Sequence, residues 1–273
     1  MKPAVAARTR PVAGFVWTIA LAALLAGCAS TRRETAPAFK LPPLPANLAA
    51  VPNAVPRFLP RAARGNPPFY DVDGERYYVL ATAQGYEATG VASWYGPTFD
   101  GLRTADGDRY DMYAMTAAHK TLPLPCYVRV TDLGNGRSVI VKVNDRGPFV
   151  ANRLIDLSYV AAAKLGMLAT GTALVEVRAI TPGNPVELTR AAESPPAMLY
   201  VQVGAFAVRR NAERVLARLE AAGLAGAFIF GPPAAQGHLY RVRIGPVNGV
   251  PEFDRLVARL TVLGYPGAQL VAP

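Results

Sequence analysis

The stretch "VKVNDRGPF", residues 141–149, ends a run of valines with an acid, a cation and a Gly-Pro bend. Val139, Val141 and Val143 recur at a period of two, the spacing of one face of a β-strand. Asn144 stops the run and Asp145 stands where the strand should end. One reading makes Asp145 a turn residue that caps a backbone N–H. The other makes it a general acid, fixed at a rigid strand end beside a groove.

The surrounding block, residues 88–181, is β-rich. Its short strand-like runs are "GVASWY", "YVRVTDL", "SVIVKVN" and "TALVEVRAI", and "LGNGR" joins two of them as a hairpin turn. One helix is expected, with Ser158 as N-cap, "YVAAAKL" as its body and Gly166 just past its end. A block of this size closes into a barrel to remove exposed strand edges. Residues 69–87 add two short strands around an Asp73-Gly74 turn, as an N-terminal extension of the barrel. Cys126 opens a strand-like run and reads as a small core residue.

The chain has 273 residues, 18% charged and 51% apolar, with a net charge of +10. Such a charge favours anionic partners, and the N-terminus narrows them. Lys2, Arg8 and Arg10 precede the apolar run "VAGFVWTIALAALLAG", and no acid lies before Cys28. That is the pattern of a secretory signal peptide, residues 1–27, too short to span a membrane. Its end, "LLAGC", resembles the lipobox of bacterial lipoproteins, which implies lipidation of Cys28. Ala29 follows, so the resemblance implies sorting to the periplasmic face of the outer membrane. Removal of the leader lowers the charge by three, to +7. Outside the cytoplasm, nucleic acid is excluded as a partner. Residues 28–68, rich in proline and without periodicity, read as a disordered tether.

A second linker is expected over residues 182–196. Beyond it, "LYVQVGAF" at Leu199 and "YRVRIGPV" at Tyr240 form a repeat. "RVLARLEAAG" at Arg214 and "RLVARLTVLG" at Arg255 share the same offset of 41. Two strand-helix-strand copies predict one sheet with both helices on one face. Val201, Val203, Val242 and Ile244 then face the helices, and Tyr200, Gln202, Arg241 and Arg243 face away. No segment is left over to cover that second face, so it is expected to be open. An aromatic, an amide and two guanidiniums suit a polar, anionic, chain-like ligand.

Residues 197–273, through "YVQVGAF", "NAERVLARLEAAG" and "YRVRIGPV", resemble the sporulation-related repeat (SPOR) domain. The resemblance implies binding of denuded glycan, the peptidoglycan strands stripped of stem peptides at the division septum. "GVASWYGPTFDGLRTADGDRYDMYAMTAAHKTLPLPCYVRVTDLGNGRSVIVKVNDRGPF", with "RLIDLSYVAAAKLGM", is similar to the rare lipoprotein A family of septal lytic transglycosylases. The implied fold is a six-stranded double-psi β-barrel followed by a small α+β SPOR domain. The implied reaction cuts the β-1,4 bond after N-acetylmuramic acid and leaves a 1,6-anhydro sugar. Asp145 is the implied acid/base, and His119 matches a family position near it. Asp108 stands where the family uses a catalytic Glu, one methylene or about 1.5 Å longer. Arg146 is expected to bind substrate or brace the turn. Trp94 and Tyr95 are candidates to stack on sugar faces in the barrel, although large aromatics also fill cores. With His119 and His238 the two histidines of the chain and no Cys-rich spacing, no metal or cofactor is expected. Two non-enzymatic alternatives stand beside the enzyme: an expansin-like binder that grips or loosens glycan, and a lipoprotein that ties outer membrane to wall.

Overall fold

The computed structural model describes residues 41–183, 198–231 and 239–272. The expected signal peptide, Cys28, most of the expected second linker and His238 lie outside them. Among the described residues no helix is long and apolar enough to cross a membrane.

The valine alternation forms the strands it predicts. Six strands close a barrel: β3 (Glu87–Trp94), β4 (Thr116–His119), β5 (Cys126–Asp132), β6 (Ser138–Asp145), β7 (Ile155–Leu157) and β8 (Ala173–Ala179). Their order around the barrel is β3-β7-β4-β6-β5-β8. The β3–β7 and β4–β6 pairs are parallel and the rest antiparallel. Val128, Val130, Val139, Val141, Val143, Ile155, Leu157, Val175 and Val177 fill the interior and are at most 1% exposed. Each such side chain contributes roughly 1.5–3 kcal/mol by leaving water.

Helix α1 (Tyr159–Leu165) packs its alanine-rich face on this core. The Ser158 hydroxyl accepts from Ala161 N at 3.3 Å, and Gly166 ends the helix at φ 90°, as its sequence predicts. The Asp73-Gly74 turn joins β1 (Phe69–Val72) to β2 (Glu75–Tyr78), with φ of 51° and 82°.

Residues 41–68 depart from the expected tether, because side chains of the barrel fix their backbone. Tyr159 Oη and Tyr113 Oη donate to Pro42 O (2.8 Å) and Pro43 O (3.1 Å), and Lys164 Nζ to Val51 O. Ala54 N donates to Ile140 O at 3.0 Å and Ala62 N to Leu124 O at 2.9 Å. Leu48, Val51 and Ala54 pack on the barrel core. The segment is an ordered strap around the barrel.

The C-terminal repeat builds β9 (Leu199–Phe206), α2 (Arg209–Ala221) and β10 (Ala227–Phe230), then β11 (Tyr240–Val247), α3 (Val250–Val262) and β12 (Gln269–Val271). The sheet order is β10-β11-β9-β12, all antiparallel. Ala212, Leu219, Phe253 and Leu260 are buried against Val201, Val203, Val242 and Ile244. Val91 of β3 and Leu174 of β8, directly opposite each other, join this second core. Thr89 Oγ1 donates to Leu270 O at 2.5 Å, and Arg153 forms two 3.0 Å bonds to Asp254.

The face away from the helices is only partly open. Register places Phe228 opposite Arg243 and Phe230 opposite Arg241. Arg243 lies over the Phe230 ring at 4.2 Å and is 6% exposed, with Arg241 beside it. Tyr200 meets Phe228 edge-on at 5.4 Å. Tyr200, Gln202 and Arg241 keep partial exposure, whereas Arg243 is a covered guanidinium.

Leu157→Ala should cost roughly 2–5 kcal/mol, because a fully buried β7 side chain leaves a cavity in the barrel. Urea unfolding checks it: the midpoint should fall while the slope stays constant.

Candidate active site

Asp145 is the last residue of β6, and a bulge aims it. Ala117 pairs with Val143 but Ala118 pairs with Asp145, so Asn144 is skipped. Ala118 also pairs with Asp156 of β7, and Asp156 with Ser93 of β3. Ser93, Asp156, Ala118 and Asp145 thus form one row across four strands. Register partners project to the same side of a sheet. Two interstrand spacings put the Cα atoms of Asp145 and Asp156 roughly 10 Å apart. The small Ala118 side chain lies between them.

Both readings of Asp145 hold at once. Its Oδ1 accepts from Arg146 N and Ala105 N, each at 2.8 Å, so it does cap its turn. Burial nevertheless raises its pKa. The two N–H donors and the Arg146 guanidinium oppose that rise, and the charge of Asp106 adds to it. Asp156 is also raised by burial, against the Ser93 hydroxyl that bonds it and the charges of Arg153 and Lys120.

Asp108 lies on the loop that supplies Ala105 N. Asp106 Oδ1 shapes that loop by accepting from Thr104 Oγ1 (2.7 Å) and Asp108 N (3.1 Å). Lys142 Nζ sits 2.6 Å from Asp108 Oδ2 and 3.7 Å from Asp106 Oδ2. The Lys142 hydrogen bond holds Asp108 below the usual carboxylate range, against a smaller burial penalty. Asp108 is therefore held ionised, and its side chain is half exposed.

Arg146 is not a substrate arm. Its Nε and Nη2 donate to Gly65 O at 2.9 and 2.7 Å. Its Nη1 donates to Leu122 O at 2.5 Å and His119 O at 3.1 Å. Four of these bonds go to backbone carbonyls, and Nη2 also meets Asn66 Oδ1 at 3.4 Å, so the fork braces the turn instead. Gly65 has φ +75°, and a Cβ there would meet Ala105 O at 2.7 Å. Only glycine lets the strap pass between Arg146 and the Ala105 loop.

His119 does not hydrogen-bond Asp145. It is 2% exposed; its Nδ1 accepts from Leu122 N (3.0 Å) and Thr121 N (3.1 Å), and its Nε2 meets Tyr86 Oη at 2.9 Å. Burial, with Arg146 and Lys120, pushes its pKa down to about 3. It is a neutral imidazole that fixes the β4–β5 loop whose carbonyls receive Arg146.

Trp94 packs against Tyr159, ring centroids 5.7 Å apart, and against the barrel core, so it is a packing residue. Tyr95 stacks on Tyr110 at 4.1 Å. Its hydroxyl is buried beside that of Thr116, and neither finds a hydrogen bond of ordinary geometry. Burial raises its pKa, and the charges of Asp145 and Asp156 both add to the rise. Tyr95 is thus a packing residue behind the row rather than a member of it. Cys126 is partly buried; desolvation pushes its thiol up to about 12, so it is chemically quiet.

The sequence reading missed Asp156, Ser93 and Lys142. Asp156 lies in the "RLIDL" run, where a polar residue between Ile155 and Leu157 signals a strand with one outward face.

Residues 87–177 match the lytic transglycolase family, and residues 196–272 match the SPOR domain. A Pseudomonas aeruginosa (strain UCBPP-PA14) relative named endolytic peptidoglycan transglycosylase RlpA is 39% identical. That match covers 83% of this chain and 82% of the relative. The chain belongs to the RlpA family. The like-named Vibrio cholerae protein is 44% identical over 60% of this chain and 62% of its own length. The Neisseria meningitidis Z2491 protein of the same name is 46% identical over 54% and 59%. The six-stranded closed barrel is this family's double-psi β-barrel, and the second unit its SPOR domain.

A histidine held neutral makes stability pH-dependent. Its folded pKa lies below the unfolded value of about 6.5, so the unfolded chain binds the extra proton. Stability is full above pH 6.5 and falls as pH drops toward 3. Between pH 6.5 and pH 4 the loss from this group should be about 3 kcal/mol. Comparing wild type with His119→Gln in urea isolates it, because the carboxyl contributions are common to both.

Proposed function

We propose that this chain is an endolytic peptidoglycan transglycosylase whose acid/base is Asp145. The observation that carries the reading is a partly buried carboxyl with a raised pKa at a strand end, in a row with Asp156 across Ala118. Family membership supplies the substrate class. A protonated Asp145 gives its proton to the glycosidic oxygen as the C1–O bond breaks. The C6 hydroxyl of the same N-acetylmuramic acid closes on C1, and the Asp145 carboxylate takes the C6–OH proton. The proton count closes without water, and no second nucleophile is needed. Asp156 with Ser93 forms the far wall, a carboxyl–hydroxyl pair suited to sugar hydroxyls. Asp108, ionised by Lys142, supplies negative charge near the positive charge that develops at C1. His119 is a positioning residue that acts through the carbonyls holding Arg146.

The leader and "LLAGC" support a lipid anchor at Cys28 on the periplasmic face of the outer membrane. The SPOR domain supports delivery to denuded strands at the division septum, with Tyr200, Gln202 and Arg241 as its accessible contacts. The covered guanidinium of Arg243 fixes Phe230 rather than reaching outward.

Digestion of amidase-treated sacculi, read by mass spectrometry, tests the reaction. The mature protein should release products ending in 1,6-anhydro-N-acetylmuramic acid. Asp145→Asn should lower the rate by about 10²–10⁴-fold, the usual contribution of a general acid. Equal release by that variant removes Asp145 from the mechanism; binding without product converts the protein into a wall binder. The wild-type rate should fall as pH rises through the elevated pKa of Asp145, since the protonated form starts the reaction.

A further inference from the structure

The strap carries three cations that the reaction does not use. Arg57, Arg61 and Arg64 are exposed, and no ion pair or hydrogen bond holds their guanidiniums among the described residues. Arg61 and Arg64 lie beside the acid site, and Arg57 is linked to it only through Lys142, the partner of Asp108. Arg57 lines a cavity of about 450 Å³ with Lys142, Thr116 and Tyr113. The charge of Arg61 bears on Arg146, the residue after Asp145. The Cδ of Arg64 is 4.0 Å from the Cβ position of Gly107, between Asp106 and Asp108.

Local acids do not explain these arginines. Asp106 and Asp108 are already served by Lys142, at 3.7 and 2.6 Å. Asp145 takes two backbone N–H groups. The strap backbone is pinned by the barrel, so the three side chains project from a fixed rail rather than a moving tether. Spacings of four and three residues separate successive arginines by at most about 14 Å and 11 Å of chain. A linear polymer with one carboxylate per repeating unit could meet more than one of them. Guanidinium forks suit carboxylates.

We propose that Arg57, Arg61 and Arg64 form a cationic ledge on the strap, leading to the Asp145 site, that binds carboxylates of an anionic glycan. This rests on the peptidoglycan reading above and deepens it. The ledge recognises the lactyl carboxylate of N-acetylmuramic acid and separates such strands from a neutral β-1,4 glycan. It is distinct from the C-terminal sheet, and places a second carboxylate-reading surface beside the acid.

The test compares the full mature chain with its Arg57→Gln/Arg61→Gln/Arg64→Gln variant. Both are assayed on denuded strands and on the same strands with lactyl carboxyls reduced to alcohols. On native strands the variant's KM should rise about tenfold, with kcat within about twofold, as three exposed contacts of ordinary strength predict. On reduced strands the two proteins should have the same KM. The C-terminal sheet is identical in both, so the difference reads the strap. An unchanged melting temperature shows that the variant is folded. Equal discrimination between the two strands by both proteins overturns the ledge. If wild type releases no product, the transglycosylase reading fails. The ledge is then judged by sedimentation of both proteins with both strands, where a carboxyl-dependent difference supports it and its absence overturns it.

Discussion

The site depends on how the Arg146 guanidinium is satisfied. It is partly buried, next in sequence to Asp145, and bound to the carbonyls of Gly65, His119 and Leu122. Neutral acceptors take its N–H groups, so no carboxylate is consumed in stabilising it. Had it paired with Asp145, the attraction would have held that carboxyl ionised. Adjacent residues at a strand end point apart, which sends the cation to one side and the acid to the other. The same fork gathers three stretches of chain: the strap at Gly65, the β4–β5 loop and the end of β6. Burial can then dominate the Asp145 carboxyl.

Three ionisable groups within this region are driven to different states. Burial raises Asp145, the Lys142 hydrogen bond lowers Asp108, and burial leaves His119 neutral with a pKa of about 3. Environments that push neighbouring carboxyls apart allow one to act as acid while the other stays charged. The histidine contributes no proton at neutral pH. Its two ring nitrogens are spent on Tyr86 and on two backbone N–H groups, so its effect on Asp145 passes through the loop that it shapes.

What could be read in the sequence follows the range of the forces involved. The valine alternation of β5, β6 and β8, the Ser158 cap, the Asp73-Gly74 turn and the 41-residue repeat are local signals, and each formed as expected. Strands β4 and β7, with four and three residues, are too short to show a period. "TAAH" has no strand propensity to speak of; its partners, far along the chain, make it a strand. Those two strands supply Ala118 and Asp156, so the far half of the site left only the brief apolar-polar-apolar signal of Ile155, Asp156 and Leu157. The strap was misread for the same reason. Its order comes largely from Tyr113, Tyr159, Lys164 and Arg146, which lie outside the segment and to which Leu48, Val51, Ala54 and Asn66 add contacts that show no period. On the C-terminal sheet, the repeat assigned the faces correctly, but Phe228 and Phe230 come from a strand whose register no repeat specifies, and they cover Arg243.

The acid at position 108 is held by its own loop and by Lys142. By the resemblance of "TADGD", residues 104–108, to the family's "TANGE", Asp106 stands in for an Asn and Asp108 for a Glu. Asp106 Oδ1 acts only as an acceptor, toward Thr104 and Asp108 N, a role that the oxygen of Asn or Asp can fill equally. Its other oxygen turns toward Lys142, which then lies between two carboxylates. Asp108 Oδ2 meets Lys142 Nζ at 2.6 Å while its backbone N–H closes the Asx turn on Asp106. The ammonium holds the Asp108 carboxylate ionised, and the pairing fixes where that charge sits. The position of the charge at residue 108 is therefore a property of the Asp108–Lys142 pair.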